Sequence, residues 1–180
     1  MSNLLKYPTF SPAGNLNAVI EIPAGTNLKF EVDKETGIIR PDMRDGNPRM
    51  IDFLPYPVNY GFFPSTKMDK PRGGDGDPLD VMVLAESKPS GTLIEVKPIA
   101  LIMLQDEGEW DNKVLAVPAD PALRIIKADN WQDFQMHYSP IRHILEWYFM
   151  YYDGLGVMKV MGWADEHAAL DEVKKWQLTS

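Results

Sequence analysis

The first two-thirds of the chain consist mostly of short apolar segments separated by glycine and proline turns, and this pattern limits the possible fold more than any other feature. Apolar runs of this length, alternating or continuous, are typical of β-strands. The predicted strands are residues 16–23, 28–33, 37–40, 49–54, 79–85, 92–104, 113–118 and 157–163. The connections between them leave no room for crossover helices, which favours a meander or a small barrel over a parallel sheet.

Two helices are predicted near the C-terminus. Ser139 as N-cap and Pro140 at the first helical position precede an apolar stripe at helical spacing. That stripe contains Ile141, Ile144, Leu145, Tyr148, Tyr151 and Tyr152. Asp165 similarly precedes a second helix whose apolar face contains Ala169, Leu170, Val173 and Trp176. The expected fold is therefore α+β and mainly β, a small closed barrel of about five strands with two α-helices packed on its side.

Composition limits the size of the core and the class of partner. A chain of 180 residues with 44% apolar residues is long enough for one ordinary domain, predicted to span residues 1–180. Its net charge of −8 repels phosphate backbones and anionic lipid, so neither nucleic acid nor a membrane is an expected partner. No apolar run reaches the roughly 18 residues that a membrane span needs. The absence of cysteine favours a reducing, cytoplasmic location.

The stretch "GGDGDPLDVMVL" places Asp75, Asp77 and Asp80 directly before a buried strand. Crowded carboxylates raise one another's tendency to bind protons, and such a cluster is stable when positive charge lies among the carboxylates. Oxygen ligands of this kind suit hard divalent cations, Mg²⁺ in particular. The alternative is a solvated acidic turn, but the surrounding glycines and proline favour a functional loop.

A calcium-binding EF-hand loop is a second alternative for this stretch. Asp75 and Asp77 take positions 1 and 3 of such a loop, and Glu86 takes position 12. However, position 5 is Leu79, and position 6, which requires glycine, is Asp80. The spacing therefore argues against an EF-hand.

Two further groups of charged residues lie at the ends of predicted strands. They are Asp106, Asp111 and Lys113 in one group, and Glu21, Lys29 and Glu31 in the other. Taken alone, the first is an exposed hairpin tip and the second a cross-strand ion pair, since residues two apart share one face of a strand. Together with the aspartate loop, they indicate a site if a barrel gathers them at one mouth.

The chain resembles soluble family I inorganic pyrophosphatases from Glu21 through Trp163. The segment "DGDPLDVMVL" fits the family signature D-[SGDN]-D-[PE]-[LIVMF]-D-[LIVMGAC] at every position. Supporting motifs, in the family order, are "EIPAG", "KFEVDKETG", "PYPVNYGFFPST", "DEGEWDNK" ahead of "VLAVP", and "KVMGW".

The resemblance implies an OB-like barrel that hydrolyses pyrophosphate to two orthophosphates with several Mg²⁺ ions, for which Mn²⁺ or Zn²⁺ are substitutes. Attack is expected to be direct and in line, by a hydroxide that bridges two metals. The implied metal ligands are Asp75, Asp77, Asp80, Asp106, Asp111, Glu21 and Glu31. Asp77 would be the general base with Tyr60 beside it, and Lys29, Arg49, Lys113 and Tyr151 would hold the phosphates. The resemblance also implies a homo-oligomer, a hexamer.

Two positions depart from the family pattern or are open. Arg44 competes with Arg49 for the phosphate-binding role, and spacing to "NYG" favours Arg49. Where the family has a tyrosine–lysine pair, this chain has Tyr151 and Tyr152, so one phosphate cation is missing unless Lys159 compensates.

Two rival functions follow from the same features. One is a catalytically weak or inactive protein of the same fold that binds divalent cations and partners. The other is an OB-like nucleic-acid-binding module, against which the acidic loops argue. The three histidines, His137, His143 and His167, share no motif and are interpreted as surface or packing residues.

Overall fold

The computed structural model describes residues 3–106 and 108–178, and it confirms a mainly β fold of the α+β class. The strands are β1 (Leu16–Ile22), β2 (Phe30–Val32), β3 (Ile39–Pro41), β4 (Met43–Arg44), β5 (Asn47–Pro48), β6 (Asn59–Phe62), β7 (Asp80–Val83), β8 (Leu93–Asp106), β9 (Glu109–Trp110), β10 (Lys113–Pro118) and β11 (Met158–Asp165). The helices are α1 (Trp131–Tyr151) and α2 (Glu166–Trp176), with 3₁₀ turns at Leu4–Lys6, Lys70–Arg72 and Pro121–Leu123. No helix in the described part of the chain is long and apolar enough to cross a bilayer.

Five strands close into the predicted barrel. The ring runs β1, β6, β7, β10 and β8, and β8 pairs with β1 again to close it. Every neighbouring pair is antiparallel except β7 and β10, which are parallel. The 14-residue strand β8 continues past the ring and pairs with β9 and β11. The OB-like barrel is thereby confirmed.

The barrel strands are apolar on both faces because each face belongs to a different cluster of buried apolar side chains. Val81 and Val83 of β7 belong to the cluster that contains Val173 and Trp176 of α2. Met82 lies on the opposite face, in the cluster that contains residues of α1. Side chains alternate between the two faces of a strand, so a run covered on both sides reads as a continuous apolar segment. The two predicted helices are thus both packed against the barrel.

Two small two-stranded sheets lie outside the ring. The pair β2–β3 carries Glu31 opposite Arg40, and the pair β4–β5 forms a tight hairpin. Asp45 and Gly46 at the tip of that hairpin both have positive φ, of 52° and 79°. Such backbone angles are required by a type I′ turn, which suits an Asp-Gly pair. The β4–β5 hairpin contains Arg44 and ends just before Arg49.

One predicted strand is absent, and one barrel strand was not predicted. Residues 49–54 form no strand: Met50 makes one isolated bridge to Leu28, and Phe53 and Leu54 are exposed. Conversely, β6 was not predicted although it is a barrel strand. Its four residues include a glycine and lie between two prolines, so local pattern gives no strand signal, and pairing with β1 and β7 decides the conformation.

The first helix begins nine residues before the predicted start. Asn130 is its N-cap, and its side chain accepts a hydrogen bond from the backbone N–H of Asp133. Pro140 lies inside the helix, and Tyr138 just before it has a non-helical φ of −133°. A proline removes one helical hydrogen bond and clashes with the preceding turn, so the helix kinks there instead of beginning there. The predicted N-cap of α2, Asp165, is confirmed.

Candidate active site

One end of the barrel opens into a cavity of about 320 Å³ that is lined mainly by charged side chains. Eleven of the twelve predicted site residues line it: Glu21, Lys29, Glu31, Arg49, Tyr60, Asp75, Asp77, Asp80, Asp106, Asp111 and Lys113. They come from strands, turns and loops far apart in sequence. The barrel therefore gathers the three predicted charged groups at one mouth.

The innermost part of the cavity is a hydrogen-bonded group of Lys113, Asp80, Asp111 and Tyr60, called the floor below. The Nζ of Lys113 donates to Asp111 Oδ1 at 2.7 Å, to Asp80 Oδ2 at 2.8 Å and to the Tyr60 hydroxyl at 2.9 Å. Tyr60 in turn donates its hydroxyl to Asp80. The parallel register of β7 and β10 pairs Asp80 with Lys113, which brings the two charges together.

Burial and the neighbouring carboxylates act in opposite directions on the pKa of Lys113 at the floor. The side chain of Lys113 is only 2% exposed. Burial alone would lower the pKa of Lys113, but the carboxylates of Asp111 and Asp80 outweigh burial and raise it. Burial also raises the pKa of Asp111. The ammonium thus stays charged because two carboxylates share it.

Burial raises the pKa of two other carboxyl groups in the cavity, those of Glu21 and Asp75. Glu21 of β1 is buried, and its Oε1 accepts a hydrogen bond from the Val32 N–H at 2.6 Å. Burial, followed by repulsion from Asp80, raises the pKa of Glu21 to about 8. Burial likewise raises the pKa of Asp75 to about 6. These acids would give up their protons readily to a bound cation.

The loop that carries Asp75 and Asp77 is held against Met68. Backbone bonds run from Met68 N–H to the Asp77 carbonyl and from Gly76 N–H to the Met68 carbonyl, each at 2.7 Å. The Asp77 N–H donates to Asp75 Oδ1 at 2.8 Å. A side chain at Gly74 would contact the Met68 carbonyl oxygen at 2.5 Å, so glycine is needed for this close approach.

The outer part of the cavity, called the rim below, contains Lys34, Asp77 and Glu31. The Nζ of Lys34 contacts Asp77 Oδ1, and that of Lys29 lies 2.8 Å from Glu31 Oε1. The side chains of Lys34, Asp77 and Glu31 are 63%, 46% and 55% exposed. In contrast to the floor, the rim is therefore in contact with solvent.

The structure places Arg49, and not Arg44, in the cavity wall. The guanidinium of Arg49 is held by Asp153 at 2.6 Å and by Asp42 at 3.3 Å. Arg44 lies on the exposed hairpin, with its guanidinium 3.9 Å from Asp153. Burial opposes the charge on Arg49, but the bonds to Asp153 and Asp42 outweigh burial and raise its pKa.

The remaining predicted residue, Tyr151, is not brought to the cavity. Its ring packs against Trp147 on α1, with the ring centroids 5.5 Å apart. Tyr152 lines the cavity instead, and burial raises its pKa to about 12. Lys159, the expected replacement cation, lines a separate surface cavity beside Leu155. The cavity wall at Tyr152 therefore has a neutral hydroxyl at the position where the resemblance predicts a lysine.

The carboxylate oxygens that line the cavity are the type of ligand that hard divalent cations prefer. Among the described residues, nine carboxylates but only four cationic side chains line the cavity, so it carries surplus negative charge. The buried Oδ1 of Asp106 has no hydrogen-bond partner within residues 3–106 and 108–178. In the same part of the chain no three acidic or histidine side chains are arranged as a ready metal site. Lysines contact several of the carboxylates. Metal binding would require those contacts to adjust.

Sequence reasoning gave no role to several residues that line the cavity. They include Lys34, Tyr56, Glu109 and Asp153. Lys34 and Tyr56 lie inside motifs that carried the resemblance, "KFEVDKETG" and "PYPVNYGFFPST", so their motif position was an available signal. Asp153 had no such signal, because only the fold brings it to Arg49.

The chain is similar to known proteins over most of its length. A model of the inorganic pyrophosphatase family matches residues 18–179. The inorganic pyrophosphatase of Saccharolobus solfataricus is 37% identical over 167 residues, which cover 89% of this chain and 88% of that protein. That of Aquifex pyrophilus is 36% identical over 172 residues, covering 93% and 90%. The crystal structure of the Thermus thermophilus enzyme superposes with a TM-score of 0.81 at 32% identity, covering 96% of this chain and 95% of that one.

Proposed function

The chain belongs to the inorganic pyrophosphatase family and is an inorganic diphosphatase, and we propose that it hydrolyses pyrophosphate by direct in-line attack of water with Asp77 as general base. One observation carries the mechanism: carboxylates and cations from distant parts of the chain line a single cavity of about 320 Å³. Such an arrangement suits phosphoryl transfer, in which positioning and charge neutralisation supply most of the catalysis.

The residues that would hold divalent cations are the carboxylates of the cavity, and we propose Mg²⁺ as the ion, with Mn²⁺ or Zn²⁺ as substitutes. They are Asp75, Asp77, Asp80, Asp106 and Asp111, with Glu21 and Glu31 in support. When bound, such cations neutralise phosphate charge and lower the pKa of water. The surplus of carboxylates and the unpartnered Oδ1 of Asp106 support this assignment.

The positive side chains have different parts in binding pyrophosphate. Lys29 and Arg49 would meet phosphate oxygens, since both are cations that line the cavity. Lys113 contributes positive charge at the floor, where its ammonium bonds to Tyr60, Asp80 and Asp111. These charges would stabilise the negative charge that develops on the departing phosphate.

The proton of the attacking water would pass to the carboxylate of Asp77. This side chain is about half exposed at the rim and its contact with Lys34 is open to solvent, whereas Asp80 and Asp111 are bonded to the buried Lys113. General bases of this kind contribute about 10²–10⁴-fold to a rate. Tyr60 donates to Asp80, which fixes the orientation of the acidic cluster.

The variant Asp77→Asn tests the assignment of the base. It keeps the shape of the side chain but loses the proton acceptor, so orthophosphate release should fall by at least about 100-fold. The free energy of unfolding in urea should change by less than about 1 kcal/mol, because the side chain is exposed. The matched control Asp171→Asn, on the exposed face of α2, should retain wild-type activity.

Near-wild-type activity of Asp77→Asn would exclude Asp77 as the base. If the wild-type protein itself released no phosphate with Mg²⁺, the alternative of an inactive cation-binding protein would be favoured, and the neutral Tyr152 in the cavity wall would be a reason for it.

We also propose that the protein is a homo-oligomer, a hexamer, in the cytoplasm. The large apolar side chains Met136, Ile144 and Trp147 of α1 are all more than half exposed, and exposed apolar patches mark interaction surfaces. The absence of cysteine supports a reducing compartment. Light scattering that gave a monomer, or activity recovered only outside the cytoplasm, would contradict these two proposals.

A further inference from the structure

Among the cations that line the cavity, Lys34 is held by a turn and its ammonium contacts Asp77. It lies on the turn between β2 and β3, which is closed by the Asp33 carboxylate. Asp33 Oδ1 accepts from the backbone N–H of Glu35 at 3.1 Å and of Thr36 at 2.7 Å. The backbone of Lys34 is thus fixed at the rim, and the end of its long side chain contacts Asp77.

The other three cations lining the cavity are already committed to different carboxylates. Lys113 is bonded to the floor, Arg49 to Asp153 and Asp42, and Lys29 to Glu31. Among the described residues, Lys34 is the cationic side chain that forms an ion pair with Asp77. It therefore supplies the positive charge beside the loop of Asp75 and Asp77.

The same contact is easily reversible. Lys34 is 63% exposed, so its ammonium can return to water at little cost, whereas Lys113 cannot leave the floor without breaking buried bonds. An ammonium is a compact, strongly hydrated charge on a flexible stem. A divalent cation carries twice its charge and binds carboxylate oxygens directly.

We propose that Lys34 is a tethered counter-ion, which neutralises Asp77 in the metal-free protein and is displaced when a divalent cation binds there. This inference rests on the proposed metal-dependent function. The tether allows Lys34 to return when the cation leaves, since the turn that carries it is fixed by its own hydrogen bonds. Lys34 thus acts through Asp77, and it lowers the affinity of the free protein for metal.

Titration of chelator-treated protein with Mn²⁺ alone, without substrate, tests the proposal by calorimetry. Removing the competing charge in Lys34→Gln should tighten the first Mn²⁺ binding step about two- to fivefold, as expected for an exposed ion pair. Lys34→Arg keeps the charge and should bind Mn²⁺ with an affinity closer to that of the wild type than to that of Lys34→Gln. Lys67→Gln, which removes an exposed positive charge outside the cavity, should leave the affinity unchanged at about 0.15 M salt.

The possible results separate this inference from the function on which it rests. If all four proteins bind Mn²⁺ equally, the role of Lys34 is overturned and the metal-dependent function stands. If Lys34→Gln binds Mn²⁺ more weakly than the wild type, Lys34 assists metal binding instead of competing, and the proposal is again overturned. If the wild type binds no Mn²⁺, the metal-dependent function and this inference fail together.

Discussion

The floor and the rim of the cavity both contain a lysine in contact with aspartate, yet the two contacts differ in what supports them. Lys113 at the floor extends from a barrel strand, is 2% exposed and bonds to two carboxylates and a tyrosine. Lys34 at the rim extends from a turn, is 63% exposed and pairs with one carboxylate. Burial, and not the presence of a contact, decides how much each pair matters to stability.

Replacing each lysine with methionine should give the largest difference between the two regions. Lys113→Met leaves the largely buried carboxylates of Asp80 and Asp111 without this counter-charge and should lower the free energy of unfolding by about 3–5 kcal/mol. Lys34→Met should change it by less than about 1 kcal/mol. Urea denaturation of both variants in the presence of a chelator measures the two values.

Equal losses in the two variants would contradict the comparison. A further check removes the orphaned charge: Asp111→Asn in the Lys113→Met background should recover part of the lost stability. The coupling energy between these two positions measures their direct interaction.

A smaller difference is expected from two glycines. A Cβ at Gly61 of β6 would lie 1.8 Å from the backbone oxygen of Val19 in β1, so Gly61→Ala should destabilise the protein by about 3 kcal/mol or more. At the tip of the β4–β5 hairpin, Gly46 has φ +79° and no atom within 4 Å of the added Cβ. There, Gly46→Ala should cost about 1–2 kcal/mol, from its backbone angle alone. Thermal unfolding that ranked the two variants in the opposite order would show that the barrel wall yields more easily than the hairpin.

The smallest effect is a pH dependence that originates at buried carboxyls. The pKa of Glu21 is raised to about 8 from an ordinary 4.5, so the folded protein binds more protons than the unfolded chain between these values. This contribution to stability is fully present below about pH 4.5 and is lost as pH rises through about 8. In chelator, Glu21→Gln should reduce the loss of stability between pH 5 and 8 by about 1–2 kcal/mol, because an amide cannot ionise. An unchanged pH profile would show that the carboxyl of Glu21 is already compensated in the folded state.

The parts of the fold that were predicted correctly are those with local signals. Strand β10, bounded by Lys113 and Pro118, and the N-cap Asp165 follow from residue type and spacing within a few positions. Strand β6 and the start of α1 were missed because neighbouring elements override the local pattern. Pro140 favours a helix start in isolation, but packing of Phe134 against the barrel stabilises a helix that continues through it.

The candidate site was predictable in its residues but not in its geometry. Short motifs identified eleven residues that line the cavity, because carboxylates, lysines and arginines close to glycine turns are recognisable without a structure. The outward position of Tyr151 and the pairing of Arg49 with Asp153 could not be read from spacing. They depend on how α1 ends beside the barrel.

The sequence by itself determined which chemical groups are present, which family the chain resembles and that a β-barrel would carry them. Tertiary structure alone decided that Lys113 is sealed between two aspartates while Lys34 remains accessible to water. The physical reason is that charge is a property of a residue, whereas burial depends on the strands and loops that surround it. Two lysines that look alike in sequence therefore differ in how strongly they are held.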